Sequence, residues 1–179
     1  MSGWAATVGA DVVSVAEVDA RERAVRAHDR RDALPQPGTS EGRQLRRWLT
    51  QVLVAERVVA ATPGSGAAVP AEVEVLPDTV ARLELGSVAA APLATAHGRA
   101  VYAEVTAHVE ISDDTVADYR RRNPNRFARP ADVAAHLLAA ARRREFRRWL
   151  DARCAELVTL APGYEHPGDP RQPDNVHRH

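Results

Sequence analysis

Apolar residues recur at helical spacing along most of the chain. The strongest stretch covers residues 40–61, where one face carries Leu45, Trp48, Leu49, Val52, Ala55 and Val59. A repeat of three or four residues predicts an amphipathic helix. Similar patterns predict helices over residues 14–30, over 112–123, from Pro130 to about Leu157, and over a short stretch that begins at Pro77 and Asp78 and closes at Gly86. We therefore expect a compact, mainly α domain of four to five helices.

Polar residues mark where these helices begin. Ser14 with Glu17 fits a capping box, in which each side chain satisfies a free backbone N–H of the other residue. Ser40 and Ser112 are placed to cap the next two strong helices. The pair Asn123-Pro124 ends the latter, because the residue before a proline is pushed out of the α region.

Period-two alternation predicts a small β element beside the helices. Residues 101–111 alternate strictly between apolar and polar positions, which is typical of a half-buried strand. Helical spacing is available in the same segment as well. Residues 7–13 predict a short turn and strand, and residues 157–160 could add another short strand.

Composition bounds the class of protein. A length of 179 residues suits one domain, and we expect it to span residues 1–161, followed by a tail rich in proline and histidine over 162–179. The single cysteine, Cys154, excludes a disulfide framework. No apolar run reaches 18 residues and no secretory signal stands out, so we expect a cytoplasmic protein that spans no membrane. Neutral net charge disfavours nucleic acid as a partner.

Two groups of residues are candidates for chemistry. The tail holds carboxylates and imidazoles that suit zinc, iron or nickel. The predicted metal ligands are Glu165, His166, His177 and His179. Ordered packing without a metal, and disorder, are the alternatives for this tail. In the stretch that alternates, His108 lies near Glu104 and could act with it in acid–base catalysis; the alternative is a surface histidine on a charged face.

Two further features point to binding. Five aromatic and aliphatic residues are predicted to form an apolar binding surface, and the helices of Trp48 and Trp149 are expected to pack together. The five are Trp48, Val52, Val59, Tyr119 and Trp149.

Residues 120–148 also hold ten arginines against Asp132 and Glu145. Such a patch could meet an anionic partner such as a carrier protein, or it could be a solvated helix face.

Three segments in order resemble the non-catalytic helical part of SurA-type chaperones and parvulin-type prolyl isomerases. They are residues 8–14 with the helix that follows, the helix over 44–59, and residues 112–130 with their Asn-Pro turn. The resemblance implies a helical framework similar to the SurA N-terminal domain. His136 looks like the histidine of the first parvulin strand, but too few residues follow it for an isomerase domain. The resemblance therefore implies no isomerase activity and no catalytic role for His136.

The tail is also similar to small proteins of bacterial polyketide gene clusters, some of them labelled malonyl transacylases. That activity needs a Gly-x-Ser-x-Gly elbow, which the chain lacks. The resemblance implies only a setting in polyketide or antibiotic biosynthesis.

Two functions follow as hypotheses. The first is a chaperone-like module that holds a peptide, an acyl carrier protein or a hydrophobic product, with a homodimer left open. The alternative is a small metal-dependent or acid–base tailoring enzyme, such as a cyclase, that uses the tail.

Overall fold

The chain divides into two compact units, and a computed structural model describes residues 3–28, 31–64 and 68–169. The first unit combines the N-terminal part up to Ala61 with the C-terminal part from Ala152. The second unit covers Thr62–Asp151. The prediction of one domain over residues 1–161 stays a prediction.

The first unit is built around a three-stranded antiparallel sheet. β1 (Trp4–Val8) forms a hairpin with β2 (Asp11–Ser14), and β3 (Val158–Leu160) pairs with the other edge of β1. Gly9 makes the hairpin turn at a φ of 58°, a left-handed conformation that glycine adopts without steric cost. The strand predicted over residues 7–13 is thus a hairpin interrupted by its turn, and the strand predicted near residues 157–160 is confirmed.

Two helices pack with this sheet. α1 (Val15–Arg26) begins with the predicted capping box: the Glu17 amide donates to the Ser14 hydroxyl at 3.2 Å, and the Ser14 amide donates to the Glu17 carboxylate at 2.8 Å. A 3-10 turn (Arg31–Ala33) precedes α2 (Ser40–Ala60). Its cap is Thr39, which accepts from the Gly42 amide at 3.0 Å, so the prediction of Ser40 as the cap was wrong by one residue.

Ion pairs hold α1 against α2. Arg46 donates to Asp19 and to Glu22, each at 2.7 Å, and Arg21 donates to Glu56 at 2.5 Å. Glu22 is only 9% exposed. A buried carboxylate is stable only with charged or hydrogen-bonding partners, so these arginines are part of the framework of the first unit.

Helices and turns connected by loops make up the described part of the second unit, with no strand among its described residues. It contains α3 (Glu72–Val75), α4 (Thr79–Leu85), α5 (Ser87–Ala90), a 3-10 turn (Ala91–Ala94), α6 (Ala96–Val105), α7 (Asp113–Arg122) and α8 (Pro130–Leu157), the last of which belongs to this unit up to Asp151. Its largest buried side chains include Phe146, Leu85 and Leu93. Ser112 caps α7 as predicted, accepting from the Thr115 amide at 3.3 Å.

The strand predicted over residues 101–111 is wrong. Residues 101–105 complete α6, and a turn follows them. The Thr95 hydroxyl caps this helix by accepting from the Gly98 amide at 3.0 Å. Val101 and Val105 fit both patterns, because positions four apart share a helix face as well as a strand face. The Thr95 cap, which lies upstream of the alternating stretch, favours the helix over the strand.

The predicted mainly α fold with a small β element is confirmed. The described residues form eight α-helices rather than four or five, since α3 and α5 are single turns that no period reveals and α6 covers part of the predicted strand. Across the part of the chain that the structure describes, no helix has the length and apolar character needed to cross a membrane.

Candidate functional site

A groove of about 400 Å³ opens in the second unit. Its wall is mostly apolar and comes from the segment before α3, from α3 itself, from α6 and from α8. The lining residues are Ala68, Pro70, Glu74, Val75, Tyr102, Ala103, Ala135, Leu138, Ala139 and Arg142. This volume lies within the range of small-molecule sites, roughly 300–1,000 Å³.

One face of α8 forms the longest side of the groove. Ala135, Leu138, Ala139 and Arg142 follow one another at steps of three, one and three residues, which places their side chains on one helical face. Two of the four are alanines, and Ala103 of α6 is a third in the lining. Small side chains at these positions leave the space that larger residues would fill.

Among the residues that the structure describes, Arg142 is the one cation that lines the groove. Its Nε is buried and has no hydrogen-bond partner among the described residues. The next residue, Arg143, is 5% exposed and donates to Glu84 at 2.9 Å. The Arg143 Nε also has no hydrogen-bond partner among the described residues. The two neighbours therefore differ in their ion pairs: Arg143 has a carboxylate partner, and Arg142 has none in the described ranges.

Tyr102 lies at the inner wall. It is 5% exposed, and its ring packs against Phe146 with 5.4 Å between centroids. Burial raises the pKa of the Tyr102 hydroxyl above its ordinary value, and the positive charges of Arg143 and Arg142 oppose this only in part. The hydroxyl is therefore neutral and can donate a hydrogen bond across the whole physiological range.

Glu74 is the one carboxylate in the lining within the described part of the chain. It accepts a hydrogen bond from the Ala71 amide at 2.7 Å and so stabilises the first turn of α3. A carboxylate engaged at a helix N-terminus satisfies a backbone donor that has no partner within the helix. Glu74 is thus a capping residue at the edge of the groove.

Residues 4–41 match a family of unknown function (DUF7158). The match covers β1, β2, α1 and the first residues of α2, all in the first unit. The groove lies outside it. No curated protein and no solved structure matches the chain.

The predicted binding residues fall in both units. In the first unit, Val52 and Val59 are buried, with 4% and 2% exposure, and Trp48 is half-buried. Trp149, in the second unit, stacks on Phe146 with 5.5 Å between ring centroids. None of these residues lines the groove, and their predicted role in binding stays a prediction, as does the packing of Trp48 with Trp149.

Tyr119 belongs to an aromatic cluster where α7 meets the start of α8. Its ring lies 6.3 Å from Phe127 and 5.8 Å from His136, and Arg126 lies 5.6 Å from the Phe127 ring. Burial, followed by the charge of Arg126, lowers the pKa of His136 below its ordinary value. His136 is therefore a neutral packing residue at neutral pH.

The predicted acid–base pair does not lie on a strand face. Glu104 is on the last turn of α6 and His108 is in the turn beyond it, both exposed. The carboxylate nearest to His108 is Glu145, with 3.6 Å between Nε2 and Oε1. A histidine 68% exposed beside α8 fits the alternative of a surface residue.

Two of the four predicted metal ligands lie in the described residues, and each accepts a hydrogen bond from a backbone amide. Glu165 accepts from the Gly163 amide at 2.9 Å, and His166 accepts through Nδ1 from the Gly168 amide at 3.0 Å. His177 and His179 lie outside the described residues. Within the described ranges, no three histidine, cysteine or carboxylate side chains converge as a metal site would require. The metal site stays a prediction.

The sequence contained no specific signal for the groove. Arg142 belongs to the arginine-rich stretch, but nothing in its sequence separates it from Arg143 and Arg144. Tyr102 was placed on the polar face of a strand, whereas the helix buries it. Both residues are identified only once α6 and α8 are placed together.

Proposed function

We propose that this protein is a binding module that holds a small hydrophobic molecule in the groove of its second unit. The observation that carries the proposal is the apolar wall on α8 and α6, where three alanines leave about 400 Å³ open. Protein interiors are close-packed, so a space of this size beside apolar side chains offers burial to a ligand.

The size of the groove favours one of the three occupants expected from sequence. A volume near the lower end for small-molecule sites suits a hydrophobic product better than a peptide or a whole carrier protein. The chaperone-like resemblance, the cytoplasmic location and the setting in polyketide or antibiotic biosynthesis stay predictions. They agree with a role in holding a hydrophobic intermediate.

The test measures how a fluorescent probe binds before and after a larger side chain is placed in the groove. The neutral fluorescent probe N-phenyl-1-naphthylamine should bind the wild-type protein with increased emission. Ala139→Leu adds a larger side chain to the wall and should weaken binding by about tenfold, since it occupies apolar volume that the probe needs. Ala152→Leu is the matched control, because Ala152 is exposed on the same helix.

Two results would overturn the proposal. One is the failure of wild-type protein to bind the probe at all. The other is an equal loss of affinity in Ala139→Leu and Ala152→Leu, which would show that the probe does not occupy the groove. Circular dichroism of each variant verifies that the helices are retained.

A further inference from the structure

We propose that the molecule held in the groove carries one carboxylate, and that Arg142 binds it. This inference rests on the proposed function and names the class of ligand: an apolar chain or ring system that ends in a carboxylate. The inference follows from the charged side chains around the groove.

Three consecutive arginines of α8 provide an internal comparison. Arg143 is buried and paired with Glu84. Arg144 is exposed, so water solvates its charge. Arg142 is half-buried in the groove wall, and among the described residues it makes no ion pair and no hydrogen bond. Only Arg142 therefore combines partial burial with the lack of a carboxylate partner.

That combination is unfavourable without a ligand. A cation beside apolar walls is poorly solvated when no carboxylate pairs with it. An incoming carboxylate accepts two parallel hydrogen bonds from one guanidinium, which is the geometry that arginine offers best. Because the Arg142 Nε is buried, the terminal nitrogens of the guanidinium would be the donors to this carboxylate.

Glu74 does not already serve as the counterion. Its carboxylate accepts from the Ala71 amide at the start of α3, and no ion pair links it to Arg142 in the described ranges. Its negative charge also limits what the groove accepts. Glu74 repels a phosphate, which carries nearly −2 at neutral pH, more strongly than a carboxylate of charge −1.

Tyr102 is available as a second donor. Its hydroxyl stays protonated because burial raises its pKa, and it makes no hydrogen bond within the described part of the chain. A neutral phenol and a guanidinium on one wall can donate to the same carboxylate. The apolar remainder of the ligand would lie along Ala135, Leu138 and Ala139.

The experiment compares ligands with the same chain and different head groups. Octanoate, octan-1-ol, octylamine and octyl phosphate each displace N-phenyl-1-naphthylamine from the wild-type protein at pH 7.5. We expect octanoate to bind on the order of tenfold more tightly than octan-1-ol, and octyl phosphate and octylamine to bind more weakly than octanoate.

Two variants test whether Arg142 is responsible for the preference for octanoate. Arg142→Met keeps the apolar stem and removes the charge, so it should abolish the preference for octanoate over octan-1-ol. Arg144→Met removes an exposed charge two residues away and should change neither affinity.

The outcomes separate this inference from the proposed function. Equal binding of octanoate and octan-1-ol by wild-type protein, tighter binding of octyl phosphate, or a preference for octanoate that survives in Arg142→Met would overturn the carboxylate assignment while the apolar groove stands. Failure of the probe and all four ligands to bind would overturn the proposed function itself. The wild-type series needs no variant, so the inference is tested even if Arg142→Met does not fold.

Discussion

Both units pair arginines with carboxylates, and the second unit also holds one arginine of a groove wall without such a partner in the described ranges. In the first unit, arginines of α1 and α2 are paired with carboxylates: Arg46 with Asp19 and Glu22, and Arg21 with Glu56. In the second unit, Arg142 lines an apolar groove and has no carboxylate partner among the described residues. The same side chain thus completes a framework in one unit and leaves donors open in the other.

The difference shows how to distinguish a structural arginine from one that binds a ligand. All the basic residues of this chain are arginines, so residue type carries no information about role. What separates them is whether the fold supplies a carboxylate of its own. A paired arginine should contribute to stability and an unpaired, half-buried one should not.

The largest expected effect is at Arg46. Arg46→Met should lower the free energy of unfolding by about 2 kcal/mol, because it leaves the buried Glu22 with Arg26 as its remaining partner. Urea denaturation measures the loss. A double-mutant cycle with Glu22→Gln should show that the effects of the two changes are not additive.

Arg144→Met serves as the control for this change, since Arg144 is exposed and its removal should shift stability by less than about 0.5 kcal/mol. Equal losses in Arg46→Met and Arg144→Met would remove the distinction between framework and surface arginines.

A smaller effect of opposite sign is expected at Arg142. Arg142→Met should leave the free energy of unfolding unchanged or raise it by up to about 1 kcal/mol, because it removes a buried donor that has no acceptor. Urea denaturation without added ligand is the measurement. A loss larger than about 1 kcal/mol would show that Arg142 is part of the framework, like Arg46.

The smallest expected effect is a difference between the two units in how stability depends on pH. The pKa of His136 is lowered, so the fold favours its neutral form, and stability is lost as pH falls below its ordinary value of 6.5. Burial raises the pKa of Glu22, but hydrogen bonds from Arg26 and Arg46 outweigh burial and lower it. Its contribution is present above the ordinary value of 4.5 and is lost as pH falls below that value.

Hydrogen exchange from pH 7 to pH 4 should therefore show protection falling first around α7 and the start of α8, and only later between α1 and α2. His136→Gln should remove the first step. Simultaneous loss of protection in both regions would contradict the different pKa values assigned to them.

Most of the helices could be predicted because their signals are local. The Ser14 capping box, the Ser112 cap and the boundary at Asn123 each depend on residues a few positions apart, and the structure confirms all three. The segment over residues 101–111 could not be assigned this way. Its alternation fits two periods at once, and the cap that selects the helix lies outside the alternating stretch, at Thr95.

The groove was beyond sequence reasoning for a different reason. Its wall joins the region of Ala68–Val75 to Tyr102 and to Arg142, which are far apart along the chain. The sequence predicted a metal site in the tail and an acid–base pair at His108, because polar residues cluster in these two stretches. An alanine-lined groove has no such cluster, because it is made by the lack of side-chain volume.

The sequence alone determined the mainly α class, the positions of the long helices and most of their caps, because periodicity and capping act within one or two helical turns. The tertiary structure decided the pairing of β1 with β3, the burial of Tyr102 and the difference between Arg142 and Arg143. Each of these depends on which distant residues come within a few ångströms of one another. An arginine acquires its role from the carboxylate that the fold does or does not place beside it.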